Sequence, residues 1–305
     1  MIQNNIMMTT VPVKTCPRTR FRACRSFLLT PASRPATLLT AQAAGGDGIM
    51  VDLESTVSPT EKAQARDAAL AFLRTPRDPN FIRLLRINSP RTVEGLRDLL
   101  ALHESGVCPD AVVIPKCESA DEVRVVADLL DNSETMIGIV PMVELARAVF
   151  AADRIAQAHE RVCGLFLGGG DLAADLGAEG AWENLLYGRS CMVAAAATTG
   201  IAAIDVPYFK ADAAGLEREA TASRKLGMTG KAALHPEQLG AINAIFTPAP
   251  DAVAHARAVE SARAAAGSNT PVLNGHVLES AMFREAERVL SIVDRLTPLT
   301  PATRL

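Results

Sequence analysis

Between Arg25 and Leu234, short apolar runs alternate with longer stretches in which charges recur at helical spacing. The runs fall at 26–29, 48–53, 82–87, 111–115, 137–143, 162–167, 201–205 and 230–234. They are nearly continuous in apolar residues, the pattern of strands covered on both faces. The stretches between them, such as 59–73, 92–103 and 120–130, are rich in Ala, Leu and Arg and predict helices. Eight strands, each followed by a helix, predict a (β/α)8 barrel rather than a doubly wound sheet. The barrel is expected over 25–249, behind a loose leader at 1–24 and before a C-terminal helical extension, or lid, at 250–305. Ser58-Pro59-Thr60-Glu61 reads as a helix start, and Gly267-Ser-Asn-Thr-Pro271 as a linker. Beyond the linker, 275–296 predicts a helix with an apolar stripe that must pack on the barrel or on a neighbouring subunit.

Composition narrows the class. Hydrophobic residues make up 49% of the 305, enough for a large core, and the net charge of −3 gives no basic excess for nucleic acid. The six cysteines form no CxxC pair and no cluster with the five histidines, which argues against structural zinc and disulfides and for reduced thiols in the cytoplasm. The weakly polar run at 191–204 is too short for a membrane span. The first 24 residues have four basic side chains, no acid and no secretory core, so they read as a loose leader, with an organelle transit peptide as the alternative, and no membrane partner is expected.

In such a barrel the chemistry lies at the C-terminal strand ends and the loops beyond them. Those positions hold Asp52, Glu54, Arg86, Asn88, Lys116, Glu118, Glu144, Asp171, Asp205 and His235. Six acids and a few bases at one rim call for a bound metal and an anionic substrate. Glu144 follows the apolar run Ile139-Val-Pro-Met-Val, and Asp171 follows Phe166-Leu-Gly-Gly-Gly. Two carboxylates on adjacent strand ends suit Mg2+, with Mn2+ as the substitute, because such ions take oxygen ligands and keep several waters. Arg86 cannot lose its charge and needs an anionic partner, either Glu54 or a substrate oxyanion. Asp52 and Glu54, two apart, face one side and can hold metal-bound water or orient Arg86. Lys116 reads as an ion-pair partner, with a Schiff-base role as the alternative. His235-Pro236 reads as packing and capping at a helix start, and Asp175 as a helix cap.

Seven motifs occur in order: Arg25-Ser-Phe-Leu-Leu-Thr-Pro31, Val51-Asp-Leu-Glu54, Leu85-Arg-Ile-Asn88, Val113-Ile-Pro-Lys116, Val143-Glu144, Gly170-Asp-Leu-Ala-Ala-Asp175 and Gly230-Lys-Ala-Ala-Leu-His-Pro236. On these, from about residue 25 to about 265, the chain resembles the citrate lyase β-subunit-like branch of the HpcH/HpaI aldolase superfamily. The resemblance implies a (β/α)8 barrel that uses Mg2+ to cleave or form a C–C bond in 3-hydroxyacyl-CoA thioesters of the citryl-, citramalyl- or malyl-CoA type. It makes Glu144 and Asp171 the metal ligands and Arg86 the stabiliser of developing negative charge. Arg25, Lys62 and Arg66 fall where basic residues approach the phosphates of coenzyme A. It also implies a trimer-based homo-oligomer in which the lid of one subunit delivers a carboxylate to the next.

The chain departs from the family pattern twice. Asp-Leu-Glu-Asp becomes Asp52-Leu-Glu-Ser55, and the lid's Gly-x-x-x-Asp becomes Gly275-His-Val-Leu-Glu279, one methylene longer. Three readings follow: a lyase on a CoA or acyl-carrier thioester, a malyl-CoA-type thioesterase, and a non-catalytic subunit of a larger lyase complex.

Overall fold

The computed structural model describes residues 18–296 except 77, 79, 132–135 and 268. The barrel strands are β1 (Ser26–Pro31), β2 (Gly48–Asp52), β3 (Ile82–Arg86), β4 (Ala111–Ile114), β5 (Gly138–Val143), β6 (Gly164–Leu167), β7 (Ala202–Asp205) and β8 (Gly230–Ala233). All neighbours are parallel, and β8 pairs with β1 to close the ring. Helices α1 (Arg18–Arg22), α2 (Pro35–Gln42), α3 (Lys62–Leu73), α4 (Val93–Ser105), α5 (Ala120–Leu129), α6 (Ala146–Ala156), α7 (Gly169–Leu176), α8 (Leu186–Thr199), α9 (Ala213–Leu226), α10 (Pro236–Phe246), α11 (Pro250–Ala266) and α12 (Ser280–Leu296) complete the fold. The chain is a (β/α)8 barrel. Among the described residues no helix is long and apolar enough to cross a membrane, and five cysteines are free. Cys16 lies outside the described residues.

The continuous apolar runs divide between two layers. In β2, Met50 joins the cluster inside the barrel, with Phe27, Leu84, Met142 and Phe166, whereas Ile49 and Val51 pack outward beneath the helices. Each strand therefore buries both faces, which its lack of alternation requires.

Helix α1 corrects the expectation of a loose leader over its last residues. Phe21, Ala23 and Cys24 are buried, and the Phe21 ring stacks on Phe27 at 5.3 Å. Phe21 thereby plugs the N-terminal end of the barrel. A Cβ at Gly164 would meet its ring at 3.0 Å, so glycine there lets the Phe21 ring pack close against β6. Residues 1–17, the rest of the expected leader, lie outside the described residues.

The C-terminal extension has its own small core of Ala256, Val259, Leu278, Ala286 and Val289, formed where α12 packs on α11. Between these helices lies a hairpin, β9 (Val272–Leu273) and β10 (His276–Val277), where the sequence predicts linker and helix start. Arg295 of α12 donates to the carbonyls of Asp47 (2.9 Å) and Asn80 (2.7 Å), which precede β2 and β3. The extension thus docks at the N-terminal pole of its own barrel, away from the rim where catalytic groups of such folds lie.

Candidate active site

The site grows from the last residues of β2, β3 and β5. Asp52 and Arg86 are in register on β2 and β3, so their side chains meet directly. Arg86 grips Asp52 with two bonds, Nε to Oδ1 at 2.6 Å and Nη2 to Oδ2 at 2.7 Å. Its principal partner is therefore Asp52, not Glu54. Nη2 also donates to Ser55 Oγ at 2.6 Å, so the residue that departs from the family pattern still meets this guanidinium. Asp52 also accepts from Glu54 N, Thr56 N and Thr56 Oγ1, which folds the turn after β2 around it. Burial favours the neutral acid at Asp52, but the Arg86 charge and its hydrogen bonds hold the carboxyl below the usual range. Burial likewise works against the charge on Arg86, and Asp52 outweighs it, raising the guanidinium above its ordinary value.

Lys116, just beyond β4, joins the two halves of the site. Its backbone N–H donates to Glu144 Oε1 at 2.5 Å, and its Nζ donates to Glu54 Oε1 at 2.6 Å. Asp171 Oδ2 lies 3.6 Å from the same ammonium. Lys116 has φ +51°, a left-handed conformation that costs a non-glycine residue energy and is found at sites where a side chain must be aimed. Burial would lower its pKa, but Glu54, then Glu144 and Asp171, raise it above the usual lysine value.

Glu144 is 1% exposed, and a Cβ at Gly168 would lie 2.0 Å from its Oε2. Only glycine leaves room there, and this fixes the β6–α7 turn against the carboxylate. Burial pushes the Glu144 pKa up to about 7. Asp171 stands in the first turn of α7 with its side chain 45% exposed. Asp175, at the other end of α7, caps α6 by accepting from Ala146 N at 2.7 Å.

This donor set fits a hard divalent cation. Among the described residues no three His, Cys, Asp or Glu side chains converge as a ready-made cage. Mg2+ needs no such cage, because one or two carboxylates plus waters and substrate oxygens hold it. Glu144 and Asp171 could supply the two carboxylates. Glu54 Oε2 is buried without a hydrogen-bond partner, and Arg86 Nη1 stands 3.6 Å from it. An orphaned carboxylate oxygen beside a guanidinium nitrogen that itself makes no hydrogen bond leaves one acceptor and one donor for a bound molecule.

The other candidate residues take varied places. Arg25 sits at the start of β1, at the N-terminal pole, and donates to Asp47 and Thr247. It is remote from the Arg86 rim and cannot meet phosphates there. Arg66 is bound to Asp98 and Glu94 at 2.7 Å each, and Asp98 in turn holds Asn88. Lys62 donates to the carbonyls of Leu53 and Glu54, pinning the turn that carries Glu54. Asp205 is tied to Lys231 of β8, Arg189 of α8 and Ser223 of α9. The side chain of exposed Glu279 makes no hydrogen bond or ion pair with Arg86, Glu144 or Asp171 of its own chain.

Sequence reasoning missed a cleft of about 420 Å³ beside the rim, between the loops after β1 and β8. Thr30, Pro31, Arg34, Thr37 and His235 line it. Pro31 pairs with Asp52, so the cleft opens one strand away from the carboxylates. Arg34 directly precedes a helix after β1, a position the rule of strand ends would have flagged.

The family model of the HpcH/HpaI aldolase/citrate lyase family matches residues 25–236. An L-malyl-CoA/beta-methylmalyl-CoA lyase of Cereibacter sphaeroides is 31% identical, over 88% of this chain and 94% of that protein. A (3S)-malyl-CoA thioesterase of the same species is 32% identical, over 88% and 93%. The crystal structure of CitE from Mycobacterium tuberculosis with magnesium, acetoacetate and coenzyme A is 30% identical at TM-score 0.69, covering 89% of this chain and 99% of that one. On its barrel, its rim and these matches, the chain belongs to the HpcH/HpaI aldolase/citrate lyase family.

Proposed function

We propose that the protein is a Mg2+-dependent lyase that cleaves a 3-hydroxyacyl-CoA of the malyl-, citramalyl- or citryl-CoA type into a 2-oxo acid and an acyl-CoA. The observation that carries this reading is the meeting of Glu144, Asp171, Glu54 and Arg86 around Lys116, with one acceptor and one donor unsatisfied. Mg2+ bound by Glu144 and Asp171, or Mn2+ in its place, would polarise the carboxylate and hydroxyl oxygens of the substrate.

The remaining steps belong to the side chains. Glu54 Oε2 takes the proton of the substrate hydroxyl. The freed oxygen lone pair forms the carbonyl of the 2-oxo acid, and the adjacent C–C bond breaks. Its electron pair passes to the thioester half as an enolate. Arg86 Nη1 donates to the developing oxyanion while Asp52 and Ser55 hold the rest of the guanidinium still. An acid then delivers a proton to the enolate carbon, and the acyl-CoA leaves. Glu279 supplies that proton from a neighbouring copy in a homo-oligomer, trimer-based by resemblance. The pantetheine arm runs into the cleft of Arg34, and Lys62 and Arg66 act through the backbone and α4 rather than on phosphate.

The thioesterase relative favours a second outcome, in which the same rim directs water to the thioester carbonyl. Incubation with malyl-, citramalyl-, β-methylmalyl- and citryl-CoA separates the two. A 2-oxo acid without free thiol, abolished by EDTA, is the expected result; free thiol without a 2-oxo acid would establish hydrolysis. Glu144→Ala and Asp171→Ala should each lose most activity with the far-ultraviolet dichroism unchanged. Full activity in either variant would refute the site.

A further inference from the structure

At the barrel pole opposite Arg86, α1 and α12 bound a cleft of about 570 Å³. Arg18, Arg22, Arg284 and Arg288 line it, against only Glu285 and Glu287. Both acids are engaged already. Glu285 accepts two bonds from Arg288, at 3.0 and 2.6 Å, and Glu287 accepts from Arg263 at 2.8 Å. Arg18 spends its Nε on the Val162 carbonyl at 2.9 Å. The guanidinium groups of Arg22 and Arg284 have no hydrogen bond or ion pair among the described residues. Arg22 Nε is buried with no acceptor among the described residues.

A guanidinium cannot escape this position by losing its proton. Burial, then the neighbouring Arg288 charge, act against the cation on Arg22, and the more weakly felt Glu285 and Glu287 offset them only in part. Residues 1–17 and 297–305 contain no Asp or Glu. An anionic ligand can provide the acceptor that Arg22 lacks among the described residues.

We propose that this pole is a second binding site, for a small phosphate-bearing anion, in which Arg22 and Arg284 are the principal ligands and Arg18 lends charge. Phosphate suits the site better than a carboxylate. Its several oxygens can meet forks that approach from two helices, and its second charge balances two unpaired guanidiniums. The volume admits an organic phosphate as well as the free ion. An occupant would bridge α1, whose Phe21 closes the barrel, to α12, whose N-terminal end follows Glu279. Binding there would fasten the extension to the barrel without touching the catalytic rim.

The test uses the full chain in EDTA, with pyrophosphate as the probe and sodium sulfate at equal ionic strength as the comparison. Calorimetry should show one saturable site per chain for pyrophosphate, with a rise in Tm that sulfate matches only weakly. Arg284→Gln, at an exposed position, should weaken binding by roughly tenfold, the scale of one charge-assisted contact. Arg22→Gln should weaken it at least as much, while Arg34→Gln at the other pole leaves it unchanged. The proposal is overturned if pyrophosphate does not bind at millimolar concentration, or if Arg34→Gln abolishes binding. It is equally overturned if both pole variants bind like the parent, since Arg22 would then be structural only. Because Arg284→Gln alone can decide the matter, a folding defect in Arg22→Gln leaves the test intact.

Discussion

Lys116 shows how one residue can organise a carboxylate-rich rim. Its ammonium satisfies Glu54 and stands near Asp171, so it repels any cation that shares those acids. Lys116→Met should therefore bind Mg2+ about tenfold more tightly, a partly screened Coulomb effect, while turnover falls because Glu54 loses its anchor. Unchanged or weaker Mg2+ binding in a calorimetric titration would show that the ammonium does not oppose the metal. Glu144 gives a pH prediction of definite sign. Its carboxyl is raised by burial from 4.5 to about 7, so between those values the folded chain keeps a proton that the unfolded chain has released. Stability then falls as pH rises through that window, by about 3 kcal/mol in all, at 1.36 kcal/mol per pKa unit. In EDTA, Glu144→Gln should match the parent in urea midpoint near pH 4.5 and exceed it at pH 8; equal midpoints at both would contradict this. Most rim acids were legible in the sequence because they directly follow apolar runs. Arg25 was misplaced for the same reason: it precedes its run, and a residue before a strand belongs to the opposite pole. That Asp52 could orient Arg86 was legible, but its two-bond grip was not, because that depends on strand register, which apolar runs do not encode.

At the scale of elements, the turn from β6 into α7 places the two carboxylates proposed to hold Mg2+. Gly168 accepts Glu144 at a distance no Cβ allows, and Asp171 follows within the first helical turn. Gly168→Ala should displace the Glu144 carboxylate and weaken Mg2+ binding by about 100-fold, near the upper range for groups that orient metal ligands, with far-ultraviolet dichroism retained. Parent-like affinity would mean that the turn yields instead. The glycine run itself was visible in the sequence, but its cause was not, since the clash is with a residue from another strand. The hairpin after α11 was missed although Asn274-Gly275 marks it: both residues have positive φ, as a two-residue hairpin turn requires. Its strands are only two residues long, too short to leave an alternating pattern, so the segment read as the start of the following helix.

The whole molecule has two poles with different work. Eight apolar runs sufficed to predict a closed barrel, and the direction of its strands then separated the rim of Glu144 from the pole of Phe21. The placement of the extension could not be read, because an apolar stripe states that it needs a partner but not which surface provides one. It docks at its own N-terminal pole through Arg295, and the Glu279 side chain has no bond to the rim of its own chain. For Glu279 to act as an acid it must reach the rim of another copy. Glu279→Gln should then slow turnover and leave Mg2+ affinity intact, whereas Glu144→Ala loses both. Each variant alone is impaired, but a mixed oligomer contains sites that combine an intact rim from one chain with an intact Glu279 from its neighbour. Co-refolding the two variants should restore a measurable share of parent activity, increasing with the fraction of mixed assemblies seen by native mass spectrometry. If mixed assemblies form and remain inactive, Glu279 serves no neighbouring rim, and the acid must be sought among groups of the same barrel.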